Sequence, residues 1–249
     1  MPQEPRRGVV NFITADRPVS ELLVRDPRVD KISFTGSVAA GKRIGALCGE
    51  RIARCTLELG GKSAAVVLDD YDIDAAAESI LGPACAMTGQ ICGSLTRVIV
   101  SRSRHDALVE ALSSRFAQVK VGDPFDPAMQ MGPVAMKRQL ERIERLIAAG
   151  VNEGARLADS DEHAVELAND TPFGLNNSVF THDADRAYRV ARRLLSGTVG
   201  HNVFRTDFSI AFGGFKQSGV GREGGVEGLR AFLEAKTIIL DGRPAHIRD

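Results

Sequence analysis

Tryptophan is absent from these 249 residues and tyrosine occurs only twice, which leaves no aromatic platform of the kind that stacks sugars or nucleobases. Net charge is missing too. The 32 Lys and Arg balance 32 Asp and Glu, so no overall field draws the chain to nucleic acid or an anionic membrane. No apolar run approaches the length needed to cross a bilayer, and the opening MPQEPRRGVV has no signal-peptide core. The four cysteines, Cys48, Cys55, Cys85 and Cys92, match neither a zinc spacing nor a dense disulfide framework. Reduced thiols, no bound metal and a cytoplasmic location are the expectation. Repeats and low-complexity tracts are also lacking. What is present is an ordinary globular composition, 43% hydrophobic and 26% charged, long enough for one large domain or two small ones.

Strand-like and helix-like periods alternate along the chain. GVVNFIT, DKISFTG, RCTLEL, SAAVVL, TRVIV, NSVFT, GTVGHNV and the late TIIL predict strands, and SAAVVL is apolar throughout, as in strands covered on both faces. Helices are predicted around Ser20–Val24, after Ser37, over DIDAAAESIL with Asp72 as N-cap, and over HDALVEALSSRFAQV. Further helices are predicted from MKRQLERIERLIAAGVNEGARL, with Gly150 as a stop signal, from DEHAVELAND and from ADRAYRVARRL. This alternation predicts βαβ units and a doubly wound parallel sheet. Near the end, FGGFKQSGVGREGG is dense in glycine, which predicts a loop with unusual backbone angles or a close approach to another group.

Three short stretches carry potential chemistry. In FTGSVAAG, Gly36 and Ser37 leave a strand and open a helix, with Gly41 one turn in; helix N-termini favour phosphate, but the same turn serves as a plain connection. In LELGGK, Glu58 ends an apolar strand, where burial would raise its pKa towards that of a general base; an isolated carboxylate there also reads as a cap or a surface group. In MTGQICGSLTR, Cys92 lies among small residues that give access, yet a free cysteine reads equally well as an inert packed thiol. No histidine forms a local motif with a nucleophile, so a Cys-His hydrolase finds no support.

In order and wording, FTGS, LELGGKS, GQIC, GDPFDPAMQMGP, NDTPFGL and FGGFKQSGVGREGG resemble the aldehyde dehydrogenase superfamily from about Gly8 onward. The resemblance implies an α/β fold with a partial Rossmann-type cofactor domain (1–59), an internally shortened α/β catalytic domain with a parallel sheet (60–235), and a C-terminal oligomerisation tail (236–249). It further implies Cys92 as nucleophile, Glu58 as general base, Gly36 and Ser37 as pyrophosphate contacts, and Leu59 and Gly60 on the nicotinamide side. The implied cofactor is NAD or NADP and the implied substrate a small aldehyde, with partners limited to a second copy or a longer relative.

The chain also departs from that family's pattern. It has no Pro-Trp-Asn or Lys-Pro-Ser segment, and EGARLADSDEHAVELAND joins flanks that the family separates by an insert containing Glu-x-Phe-Gly-Pro. An internal deletion near Leu157 to Asp161 is the expectation. Met87 stands where many members have Asn. These gaps predict impaired aldehyde oxidation, or in the alternative an inactive fragment that binds a longer relative.

Overall fold

A computed structural model describes residues 8–153 and 161–242. The first unit runs α1 (Arg17–Arg25), β1 (Lys31–Gly36), α2 (Val38–Glu50) and β2 (Arg54–Leu59). Asp16 caps α1 by accepting a hydrogen bond from the Val19 N–H at 3.2 Å. Strands β1 and β2 are parallel, in register from Lys31 opposite Arg54 to Gly36 opposite Leu59. Helix α2 makes the crossover between them. It buries Leu47 and Cys48 against Val24 and Ile32, with Phe34, Ile44 and Cys55 completing a small core.

The second unit begins with β3 (Ser63–Val67), α3 (Ile73–Cys85), β4 (Leu95–Val100) and α4 (His105–Ala117), and continues with α5 (Lys137–Glu153) and α6 (Asp161–Asn169). After these come β5 (Phe173–Gly174), β6 (Asn176–Phe180), α7 (Ala184–Ala191) and β7 (Thr198–His201). Strands β4, β3, β6 and β7 lie in that order in one fully parallel sheet. All five residues of β3 are buried, because alternate side chains enter different cores. Ala64, Val66 and Leu68 join Val165, Val179 and Leu194 on one face. Ala65 and Val67 join Ala76, Ile80, Leu95 and Phe180 on the other. Each fully buried Val or Leu contributes about 1.5–3 kcal/mol, so this central strand anchors the unit. On β4, the Arg97 guanidinium donates to the carbonyls of Lys62, Leu167 and Ala168 at 2.7–2.8 Å and ties the end of α6 to the sheet.

The last elements are β8 (Phe215–Lys216), β9 (Gly219–Val220) and α8 (Gly225–Arg230). They return the chain to both units. β8 pairs antiparallel with β5, and β9 adds antiparallel to the edge of β2. The glycine-dense segment therefore pairs with β5 of the second unit and with β2 of the first.

Three expectations need correction. GVVNFIT forms no strand: from Asn11 to Asp16 it is irregular and exposed, because none of its apolar side chains finds a covering layer. TIIL forms no strand either, with Ile238, Ile239 and Leu240 exposed and unpaired. Gly150 does not stop α5, which runs on to Glu153, since one glycine costs a helix interior only about 1 kcal/mol. The expected deletion near 157–161 falls largely outside the described residues.

Candidate active site

Glu58 lies one residue before the end of β2, opposite Thr35 on β1 and Gly219 on β9. It is 5% exposed, and neither carboxylate oxygen has a hydrogen-bond partner among the described residues. Burial first, and then the negative charge of Glu223, push its pKa up to about 7, while Arg222 pulls the other way. The glycine-dense segment makes this pocket. Leu59 N–H donates to the Ser218 carbonyl at 2.9 Å, and Ser218 Oγ donates to the Gly60 carbonyl at 2.9 Å. At Gly213 a Cβ would lie 2.7 Å from Glu58 Oε1, so only glycine leaves the carboxylate its space.

Gly219 approaches β2 closely, with φ +159°, and a Cβ there would collide with the Leu57 carbonyl oxygen. Backbone cannot yield as a flexible side chain can. Gly219→Ala is expected to unpair β9 from β2 and cost about 1–3 kcal/mol. Urea unfolding measures the loss, and a parallel fall in activity would follow from the opened Glu58 pocket.

Cys92 occupies the turn between α3 and β4 and is exposed. Its carbonyl accepts the Gly61 N–H at 3.0 Å, so the LELGG and GQIC stretches are joined through their main chains. Gly93 is pressed against β6, where a Cβ would lie 3.3 Å from Asn176 Cβ. Although the residue reaches solvent, nearby protein atoms displace part of the thiol's hydration and raise its pKa. The Gly93 N–H, hydrogen-bonded to the sulfur, opposes this, and the charge of Glu58 adds to it. That last influence places nucleophile and base candidates within each other's field.

The turn leading to Cys92 is conformationally costly. Met87 at φ 48°, Thr88 at φ 59° and Gly89 at φ 69° are consecutive left-handed residues. Thr88 Oγ1 donates to the Gly132 carbonyl at 3.2 Å, which helps hold the turn. A non-glycine residue in this region costs roughly 1–2 kcal/mol, and asparagine tolerates it best. Met87→Asn is therefore expected to raise unfolding free energy by up to about 1 kcal/mol, read from a shifted urea midpoint.

Gly36 and Ser37 are exposed at the β1–α2 junction, and Ser37 Oγ caps α2 by accepting the Ala40 N–H at 3.3 Å. Gly36 is the register partner of Leu59, which brings the four cofactor-binding candidates, Gly36, Ser37, Leu59 and Gly60, to one corner of the first sheet. Gly41 has a role the spacing did not disclose. A Cβ there would lie 2.6 Å from Leu59 Cδ2, so its bareness lets α2 sit close on β2. Sequence reasoning also missed Gly213, Ser218, Arg222 and Glu223 around Glu58, and Asn176 behind Gly93. The density of glycine over 212–225 was the available signal for the first group; Asn176, one of two adjacent Asn at the start of β6, gave none. No cluster of three or more metal-ligating side chains occurs among the described residues, and no described helix is long and apolar enough to cross a membrane.

Comparison with known proteins shows the family and the fold. The aldehyde dehydrogenase family model matches residues 5–159 and 157–238 in two consecutive segments. A geranial dehydrogenase from Castellaniella defragrans is 35% identical over 277 aligned positions, covering 94% of this chain and 58% of that protein. A betaine aldehyde dehydrogenase from Sinorhizobium fredii is 35% identical, with 93% and 57% covered. The crystal structure of a Mycobacterium tuberculosis aldehyde dehydrogenase complexed with NAD+ superposes with a TM-score of 0.86 at 33% identity, covering 92% of this chain and 56% of that one. The chain thus spans somewhat more than half the length of these relatives. An alignment of 277 positions exceeds the 249 residues available, so relatives carry residues with no counterpart here. With the family model matched along nearly the whole sequence, the chain belongs to the aldehyde dehydrogenase family.

Proposed function

We propose that this chain carries the reaction centre for NAD(P)-dependent oxidation of an aldehyde to a carboxylic acid, with Cys92 as nucleophile and Glu58 as general base. The observation that carries this reading is Glu58: a buried carboxylate with no hydrogen-bond partner among the described residues, poised near pH 7, whose charge reaches an accessible thiol at Cys92. Cys92 thiolate attacks the aldehyde carbon to give a thiohemiacetal, whose oxyanion needs donors that exclude water. The bound nicotinamide supplies the hydride acceptor, a role no side chain of this protein can take. Glu58 then removes a proton from the water that hydrolyses the Cys92 thioester, and sulfur suits this route because thioesters hydrolyse readily.

The corner at Gly36 fits a dinucleotide pyrophosphate. The exposed start of the 13-residue α2 offers unpaired N–H groups and the positive end of its dipole, and Gly36 and Ser37 would hold the phosphates there. Leu59 and Gly60 would line the nicotinamide side. In domain terms, 1–59 serves the cofactor and 60–235 the chemistry, with β9 returning to complete the first sheet; 236–249 serves assembly. A cytoplasmic enzyme is the setting that free thiols favour.

Turnover by this chain alone is proposed to be slow. Burial and the Glu58 charge raise the Cys92 thiol pKa and disfavour its thiolate at neutral pH, and relatives carry residues with no counterpart here. A second reading, association with another copy or a longer relative, is favoured by Thr237–Leu240, an irregular apolar stretch with Ile239 92% exposed. The test is NADH or NADPH absorbance at 340 nm with purified protein and a panel of aldehydes, alongside light scattering for mass. Slow formation that saturates with both aldehyde and cofactor supports the reading. Cofactor-independent or undetectable oxidation by a well-folded oligomer removes it.

A further inference from the structure

We propose that Cys48 and Cys55 form a reversible disulfide that clamps α2 to β2, an oxidation site separate from Cys92. The fold brings this pair together. Helix α2 ends at Glu50, and the chain reverses at once: the Arg51 and Ala53 N–H groups both donate to the Cys48 carbonyl, at 3.3 and 2.8 Å, and Ile52 takes φ 56°. Strand β2 therefore starts directly beneath the last helical turn. Leu57 faces α2, since a Cβ on Gly45 would lie 3.6 Å from Leu57 Cδ1. Cys55, two residues earlier on the same face, packs in one cluster with Cys48, and the two thiols are within hydrogen-bond reach of each other.

The two cysteines differ in access. Cys48 is 1% exposed, whereas Cys55 is half-buried; burial first, and then the neighbouring Cys48 thiol, raise the Cys55 pKa, and the Lys31 charge opposes them. Cys55 is thus the sulfur an oxidant meets first. With hydrogen peroxide as oxidant, the Cys55 thiolate attacks one peroxide oxygen; an S–O bond forms, the O–O bond breaks, and hydroxide leaves as water after taking a proton. Cys48 thiolate then attacks the Cys55 sulfur, forming S–S and breaking S–O, and the second oxygen leaves as water. Two thiols lose two electrons and two protons, and one peroxide becomes two waters. The link would fix the end of α2 to the strand that carries Glu58, and a thiol reductant would reverse it.

Trypsin makes the test direct, because Arg and Lys flank both sites: Cys48 falls in IGALCGER and Cys55 in CTLELGGK. The native full-length chain is treated with peroxide, blocked with iodoacetamide and digested without reductant. The expected product is the disulfide-linked pair of these two peptides, abolished by dithiothreitol, absent from Cys48→Ser and Cys55→Ser, and retained in Cys92→Ser. The Cys92→Ser arm keeps the result readable if either core variant folds poorly. Full alkylation of both cysteines after peroxide, oxidation of Cys55 only to the sulfinic acid, linkage to Cys85 or Cys92 instead, or a Cys48–Cys55 link found only in urea would each overturn the proposal.

Discussion

Replacing Cys92 with serine is expected to lower aldehyde oxidation by about 10⁴-fold or more, the scale on which enzymes lose turnover when the nucleophile goes. The other three cysteines cannot take over. Cys48, on α2, and Cys55, beneath it, pack in one small core, and Cys85 closes α3, where burial raises its thiol pKa. Because Cys92 is exposed and fills no core position, the variant should unfold at the same urea concentration as the parent. Activity falling while the midpoint holds is the signature of a chemical role; both falling together would mark Cys92 as structural.

Glu58→Gln is the second large effect, about 10²–10⁴-fold on turnover, since it removes the proton acceptor and keeps the shape. Its pH signature follows from a pKa of about 7. The parent carboxylate is a base only above that pH, so thioester hydrolysis should rise through neutrality and level off, and the variant should lose this limb. Stability runs the opposite way. The folded state holds the Glu58 proton more tightly than the unfolded chain, whose value is near 4.5. The stability this gives is complete below about 4.5 and is lost as pH rises through 7. Glu58→Gln should therefore melt above the parent at pH 8, by about 2–4 °C for each kcal/mol relieved, and match it at pH 5. A carboxylate kept where it destabilises the fold at neutral pH is the mark of a functional group.

Much of this site was legible along the chain. The uninterrupted SAAVVL run marked a strand covered on both faces, and it is the centre of the parallel sheet. Asp72 caps α3 as its position before an apolar helix implied, accepting the Ala75 N–H at 2.8 Å. The pocket that tunes Glu58 was not legible, because Gly213, Ser218, Arg222 and Glu223 come from a segment more than 150 residues away and reach it only through β9 pairing. Local patterns also overstated two ends of the described chain. GVVNFIT and TIIL have strand-forming side chains, but a strand exists only where a neighbour accepts its hydrogen bonds and a layer covers its apolar face.

In the proposed reaction Cys92 takes the acyl group and Glu58 releases it. The most direct test uses p-nitrophenyl acetate, which acylates a nucleophile without cofactor, on the parent and on Glu58→Gln at pH 8. A burst of about one p-nitrophenolate per chain is expected in the variant, followed by slow turnover. Mass spectrometry should then find an acetyl group on Cys92 that persists in the variant and clears in the parent. An acetyl group on another residue, or one that clears from Glu58→Gln as fast as from the parent, would contradict it.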